Sequence, residues 1–326
     1  MIRRVFLEPT ANKWESGAVF NPTAIEEDGI THLIYRAVRS PNYSSLGHAE
    51  IEDGLVCRHD KPFMAPTEEY EREGVEDPRI TKINGTFYLF YTAWDGKSAR
   101  VAYAAGQSID NLKKQGIIGP NIPVARAIGL VNSERYKNEW RRQLVKFGMD
   151  SFLWDKDAVL FPEKISGKYA MLHRLEPDIQ LVLFDSFEDL QNKNFWEDYL
   201  RNIEEHIFMY PQYRWESEKI GAGATPIKTN HGWLLLYHGV EGKRKHSIYS
   251  AGAALFSNDI KHGTRLKEPL FQTEYEWEKV GNVNNVVFPE GATVEGPMLN
   301  IFYGAADRVI GLAQLELKSL IKKLNL

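Results

Sequence analysis

A chain of 326 residues with 43% hydrophobic and 26% charged residues can bury a sizeable core and has the composition of a globular protein. Its net charge of −4, with both signs interspersed, argues against a nucleic-acid or anionic-membrane partner. No apolar run reaches the roughly 18 residues of a membrane span, the single cysteine, Cys57, excludes an intrachain disulfide, and the short apolar run at Met1–Pro9 does not make a signal peptide, so a cytoplasmic protein is expected.

In chain order, Arg3–Leu7 reads as a strand available to the last unit of the chain. A phrase then recurs: a turn glycine, an apolar strand, and Tyr or His. Its copies are Gly29-Ile-Thr-His-Leu-Ile-Tyr35, Gly85-Thr-Phe-Tyr-Leu-Phe-Tyr91, Gly167-Lys-Tyr-Ala-Met-Leu-His173, Gly232-Trp-Leu-Leu-Leu-Tyr-His238 and the looser Gly296-Pro-Met-Leu-Asn-Ile-Phe-Tyr303. Each follows another short strand, predicted at 21–25, 77–83, 158–165, 222–228 and 286–294, and the turn dipeptides predict hairpins. A third strand follows each copy, at 46–51, 101–105, 179–184, 251–256 and 310–315; several carry small residues suited to close packing between sheets. Fainter fourth strands are predicted at 61–65 and 269–273. Two charged insertions, Ser133–Phe147 and Phe187–Phe208, have helical spacing and read as lids, oligomer contacts or surface decoration.

One antiparallel meander cannot bury both its faces, whereas radial stacking of repeats can. The expected fold is therefore all-β, a five-bladed β-propeller with helical insertions, forming one domain over 1–326. A β-sandwich would not require the fivefold repeat.

In a propeller the first strand of each blade lines the central channel, where a ligand site is expected. Asp77-Pro78 and Asn21-Pro22 each begin eight residues before their turn glycines, which puts them at one height on neighbouring inner strands. His173, Arg174, Lys219, His238, Tyr249 and Asp307 fall at comparable places in later repeats. Cations and hydroxyls converging from separate blades suit a small anion such as phosphate. No zinc helix, phosphate-binding loop or nucleophile elbow is present in the sequence.

With Gly74-Val-Glu-Asp-Pro-Arg79, Ala158-Val-Leu-Phe-Pro-Glu163, Met171-Leu-His-Arg174, Lys219-Ile-Gly-Ala-Gly223, Leu236-Tyr-His-Gly239 and Tyr303-Gly-Ala-Ala-Asp307 in order, the chain resembles glycoside hydrolase family 130. The resemblance implies inverting phosphorolysis of β-1,4- or β-1,2-linked mannosides to α-mannose 1-phosphate. It implies Asp77 as the acid, acting through the mannose 3-hydroxyl. By the same resemblance Arg174, Lys219, His238, Tyr249 and Lys156 bind phosphate, and Asn21, Arg36, Arg79, His173 and Asp307 bind the sugar. The implied partners are a β-mannoside oligosaccharide and inorganic phosphate as co-substrate, without metal or organic cofactor; the insertions admit a homo-oligomer. A lone acid with a basic cradle favours phosphorolysis, since an inverting hydrolase needs a second carboxylate. A β-mannoside hydrolase on the same scaffold, or a non-catalytic mannan-binding propeller, is the alternative. Leu175 and Arg308 depart from the family pattern and leave linkage and acceptor open.

Overall fold

The computed structural model describes residues 1–39, 43–242 and 246–325. After β1 (Ile2–Leu7), a first antiparallel meander is built from β2 (Ala18–Glu27), β3 (Ile30–Arg39), β4 (Tyr43–Glu52) and β5 (Leu55–Arg58). The second contains β6 (Gly74–Ile83), β7 (Thr86–Trp94), β8 (Ala99–Gly106) and β9 (Lys113–Ile117). A single parallel bridge, Ser44 to Gly74, joins these two. Two helices, α1 (Val124–Leu130) and α2 (Glu134–Phe147), precede the third meander of β10 (Lys156–Leu160), β11 (Tyr169–Arg174), β12 (Ile179–Phe184) and β13 (Ile207–Met209), with α3 (Lys193–Arg201) between its last two strands. In the fourth, β14 (Lys219–Ala222) and β15 (Ile227–Thr229) both pair with β16 (Gly232–Glu241), which is followed by β17 (Ile248–Phe256) and β18 (Gly263–Arg265). A short α4 (Glu276–Lys279) leads to β19 (Val287–Glu295), β20 (Met298–Ala305) and β21 (Val309–Glu316), and α5 (Leu317–Leu324) follows. As its sequence suggests, β1 returns to pair with β21.

The described residues thus form five meanders in a mostly β chain. Their first strands adjoin in series: β2 lies beside β6 and β19, β6 beside β10, and β10 beside β14. The turns obey their local chemistry. Asp28-Gly29, Asn84-Gly85 and Ser166-Gly167 all have positive φ at both residues, as the tight turns matching strand twist require.

The recurring tyrosine has a structural explanation. Tyr35, Tyr91, Tyr237 and Tyr303 each donate a hydroxyl hydrogen bond to a fully buried glutamate: Glu15, Glu71, Glu216 and Glu278, at 2.7–3.1 Å. Each carboxylate also meets a cation, respectively Arg58, Lys114, Arg265 and Arg3. A small residue, Gly47, Ala102, Gly252 or Gly311, stands opposite each ring on the adjacent strand. Small residues in the third strands therefore make room for a tyrosine within one sheet, besides any packing between sheets. In the third meander α2 takes over, with Tyr136 donating to Asp178 beside Arg135. Because Arg3 lies on β1, the Glu278 cluster also ties the N-terminal strand to the fifth meander. Glu278→Ala leaves Arg3 and Tyr303 without their buried partner, so a loss of about 3–5 kcal/mol is expected, against about 1–2 kcal/mol for Tyr303→Phe; urea midpoints measure both.

Three expectations need correction. The outer strand of the first meander is β5, and Met64 contributes only an isolated bridge to Leu46; in the fourth it is β18, and Phe271 only bridges Ala251. The strands predicted over 158–165 and 222–228 are shorter or broken, since the chain leaves the ladder after Leu160 and again after Ala222. The two helical insertions are core elements rather than surface decoration. Tyr136 and Trp140 of α2 and Trp196, Tyr199 and Leu200 of α3 are buried in one cluster with Phe90, Tyr103, Met171 and Val182. Among the described residues no helix is long and apolar enough to cross a membrane.

Candidate active site

Four adjoining first strands carry a register break. The ladder register jumps between Phe20 and Pro22, between Glu76 and Arg79, between Lys156 and Val159, and between Pro289 and Gly291. At the first three jumps one residue has a left-handed backbone: Asn21 (φ 49°), Asp77 (φ 50°) and Asp157 (φ 55°). Asn and Asp tolerate this conformation better than other residues with a side chain, and a bulge re-aims the side chain it carries. The following proline in the first two strands sits where a ladder donor would go unused.

Asn21 and Asp77 meet as a result. Asn21 Nδ2 donates to Asp77 Oδ1 at 2.8 Å, and Arg36 Nη1 reaches the same oxygen at 3.3 Å. Lys156 Nζ lies 3.6 Å from the other oxygen. Arg36 also donates to Glu76 at 2.6 Å and to Ser44 at 3.0 Å, and its guanidinium lies 4.9 Å from the Phe20 ring centre. Gly304 is required beneath Asn21, for a Cβ there would fall 2.0 Å from Asn21 Oδ1.

A second group adjoins the first. Arg79 is fully enclosed. It donates to the carbonyls of Asp77, Ala222 and Gly223 and pairs with Glu290 at 2.6 Å. Arg174 pairs with Asp157 at 2.7 Å, and its Nη1 lies 2.9 Å from His238 Nε2. Arginine has no acceptor, so Nε2 accepts and the ring proton sits on Nδ1. Lys219 pairs with Glu176 at 2.6 Å, and the Tyr249 and Phe288 rings stand 5.9 and 4.1 Å from His238. Arg174 Nε and His238 Nδ1 are buried donors without a hydrogen-bond partner among the described residues. Buried donors of this kind are costly unless something accepts from them.

The electrostatics divide the carboxyl groups. Burial alone would raise Asp77, but Arg36 first, then Lys156 and the Asn21 hydrogen bond, hold it well below the usual carboxylate range. Glu176 is likewise pushed down to about 2, with Lys219 and Arg174 outweighing burial. Asp307 is pushed up to about 6, because burial and the charge of Asp77 outweigh Arg36. Burial also raises Glu290 well above its ordinary value, and burial with the surrounding cations keeps His238 neutral.

Of the residues expected from sequence, Asn21, Arg36, Asp77, Arg79, Lys156, Arg174, Lys219, His238 and Tyr249 are brought together, and Asp307 enters their electrostatic field. His173 is not. Strand alternation turns it to the face opposite Arg174, where Nδ1 meets Asp155 at 2.8 Å and Nε2 meets the Tyr199 hydroxyl at 2.9 Å. Trp196 and Tyr199 reach it from the second helical insertion and Asp155 from the segment before β10, so it joins the core. The lone acid also needs correction: Glu76, Asp157, Glu176, Glu290 and Asp307 surround Asp77 and its cations. Sequence reasoning missed the first four. Asp157 precedes Gly167 by ten residues and Glu290 precedes Gly296 by six, so the eight-residue offset passed over both.

Gly221 tests the second group. A Cβ there would lie 2.2 Å from Asp157 Oδ2, 2.4 Å from His238 Cε1 and 2.8 Å from Arg174 Nη1. Gly221→Ala must push these three apart. A loss of activity of about 10²-fold is expected, the cost of a misplacement of about 1 Å, with an unfolding midpoint changed far less than by Glu278→Ala.

A mostly β chain that gathers an acid, an amide, several cations and a neutral imidazole at the bulges of adjoining strands falls in the class of carbohydrate-active β proteins. The family model for beta-1,4-mannooligosaccharide phosphorylase, glycoside hydrolase family 130, matches residues 7–326, and the chain belongs to this family. It is 36% identical to a 1,2-beta-oligomannan phosphorylase of Thermoanaerobacter sp. (strain X514), over 97% of this chain and 96% of that one. It is also 36% identical to a beta-1,2-mannobiose phosphorylase of the same organism, over 94% and 92%. The structure of beta-1,2-mannobiose phosphorylase from Listeria innocua, in complex with beta-1,2-mannobiose, shares its fold, with a TM-score of 0.70, 24% identity and 95% and 92% coverage.

Proposed function

We propose that this protein is an inverting phosphorylase of β-1,2-linked mannosides, built as one closed five-bladed propeller over residues 1–326. The series of adjoining first strands and the return of β1 to β21 support the closed ring. Phosphate binds Arg174, Lys219, His238, Tyr249 and Lys156. One phosphate oxygen attacks the anomeric carbon as the glycosidic C–O bond breaks, and the leaving oxygen takes its proton from Asp77. The products are α-mannose 1-phosphate and the shortened sugar. Asn21, Arg36, Arg79 and Asp307 hold the mannose and the acid in place. No cofactor enters this scheme.

The observation that carries phosphate as nucleophile is the pair of unpartnered buried donors, Arg174 Nε and His238 Nδ1, beside Lys219 and Lys156. A phosphate dianion accepts from such donors, whereas water needs a base. The β-1,2 linkage rests on the two relatives matched along nearly their whole length. Incubation with β-1,2- and β-1,4-mannobiose, with and without phosphate, tests both points. α-Mannose 1-phosphate formed from the β-1,2 sugar only when phosphate is present is the expected result. Free mannose at equal rates in both buffers would make the protein a hydrolase, and preference for the β-1,4 sugar would overturn the linkage.

A further inference from the structure

The outer strands of the first meander carry a second group of chemically able side chains, away from Asp77. His32 on β3, Glu50 on β4 and Cys57 on β5 are direct cross-strand partners in one row. His48 lies two residues before Glu50, and so on the same face of β4. His59 lies two residues beyond Cys57, and its backbone N–H donates to the His48 carbonyl at 3.0 Å. Four of these side chains, His32, His48, Glu50 and His59, therefore converge from three adjacent segments.

Their atoms are already close. His32 Nδ1 is 3.0 Å from His48 Nε2 and 3.8 Å from Glu50 Oε1, and His59 Nε2 is 3.6 Å from that same oxygen. The ligand atoms of His32, His48 and Glu50 all lie within 4.8 Å of one another. Tetrahedral zinc with bonds of about 2.0–2.2 Å sets its ligand atoms about 3.3–3.6 Å apart, so small side-chain adjustments suffice. His48 is fully buried, with its ring stacked on His59 at 4.5 Å and against Phe63 at 5.3 Å. His48 and His59 line a cavity of about 490 Å³, which gives an ion a route to that side of the cluster.

We propose that His32, His48 and Glu50 bind a zinc-class divalent cation, with His59 turning in as the fourth ligand. Three imidazoles and one carboxylate suit zinc, cobalt or nickel and are a poor match for magnesium or calcium, which prefer oxygen. Four protein ligands make a closed, structural site. The ion would clamp β3, β4 and the segment after β5. Arg36 lies four residues along β3 from His32, roughly 13 Å at the rise of a strand, so the ion acts on stability and stays clear of the reacting atoms.

The test uses the full chain without an affinity tag, stripped with a chelator and titrated with zinc alone by calorimetry, then with cobalt by visible absorption. The expected result is one equivalent of zinc per chain, a raised melting temperature, and the intense visible bands of tetrahedral cobalt. His32→Gln and Glu50→Gln should each weaken zinc binding at least tenfold, while metal-free phosphorolysis and the metal-free melting temperature stay near those of the parent. The conservative pair keeps the test valid if a His48 variant fails to fold. Absence of stoichiometric zinc binding by the parent chain, or unchanged affinity in both variants, would overturn the proposal.

Discussion

Asp77→Asn is expected to leave a folded protein that loses β-mannoside turnover by about 10²–10⁴-fold, the usual worth of a positioned general acid. Asparagine suits the test because residue 77 has a φ of 50°, which Asn accepts as readily as Asp, and its amide oxygen can still take the Asn21 hydrogen bond. The Arg79 contact goes to the residue 77 backbone carbonyl and survives. Proton donation is removed, together with the carboxylate charge that faces Arg36 and Lys156. A substrate whose leaving group needs little protonation, such as 4-nitrophenyl β-mannoside, should therefore recover much of the lost rate with phosphate as nucleophile. Equal losses on both substrates would assign Asp77 to binding instead.

The charge environment adds a pH signature to this experiment. In the free protein Arg36 and Lys156 hold Asp77 below the ordinary carboxylate range, so its acid form is scarce at neutral pH. Each pH unit above its pKa cuts that form tenfold. Dianionic phosphate bound as proposed, beside Lys156 and Arg174, would offset those cations and raise the carboxyl. The alkaline limb of kcat/KM for the mannoside is thus expected to move to higher pH as phosphate goes from scarce to saturating. A limb that stays fixed near 6 would point to Asp307, the carboxyl that burial lifts to about that value.

How far the site was legible follows from what strand geometry exposes in a sequence. Asn21 and Asp77 were found because their hairpin arms have equal length, so one offset from the turn glycine located both bulges. Unequal arms hid Asp157 and Glu290, although both sit at register breaks of their first strands. His173 misled for another reason. The motif places it beside Arg174, but adjacent strand residues face opposite sides, and only the tertiary positions of α3 and of the segment before β10 reveal that Tyr199 and Asp155 receive its ring. The fivefold repeat was legible because turn glycines and apolar runs are local signals. The buried glutamates behind its tyrosines were not, since Glu278 reaches Tyr303 from a separate helix and Arg3 from the far end of the chain.

The group proposed to bind phosphate gives the second large effect. Lys219→Ala removes one cation from the proposed anion site and leaves Glu176 with Arg174, at 3.5 Å, as its nearest cation among the described residues. His238→Ala deletes the neutral Nδ1–H donor and the acceptor that holds Arg174 Nη1 in position. Hydrogen bonds from such groups to an ionised partner contribute about 1.5–3 kcal/mol each, so each variant should raise the KM for phosphate by about 10–150-fold. The KM for mannobiose should change far less, because the mannose contacts proposed for Asn21 and Arg36 lie on other strands. Initial-rate kinetics with both substrates varied give the two constants separately. Charge distinguishes the two variants further. Ionic strength should weaken phosphate binding to the parent and to His238→Ala alike, whereas Lys219→Ala, lacking one full charge, should show a shallower salt dependence. If phosphate dependence were unchanged in both variants, the anion site would lie elsewhere and the unpartnered donors of Arg174 and His238 would need another acceptor.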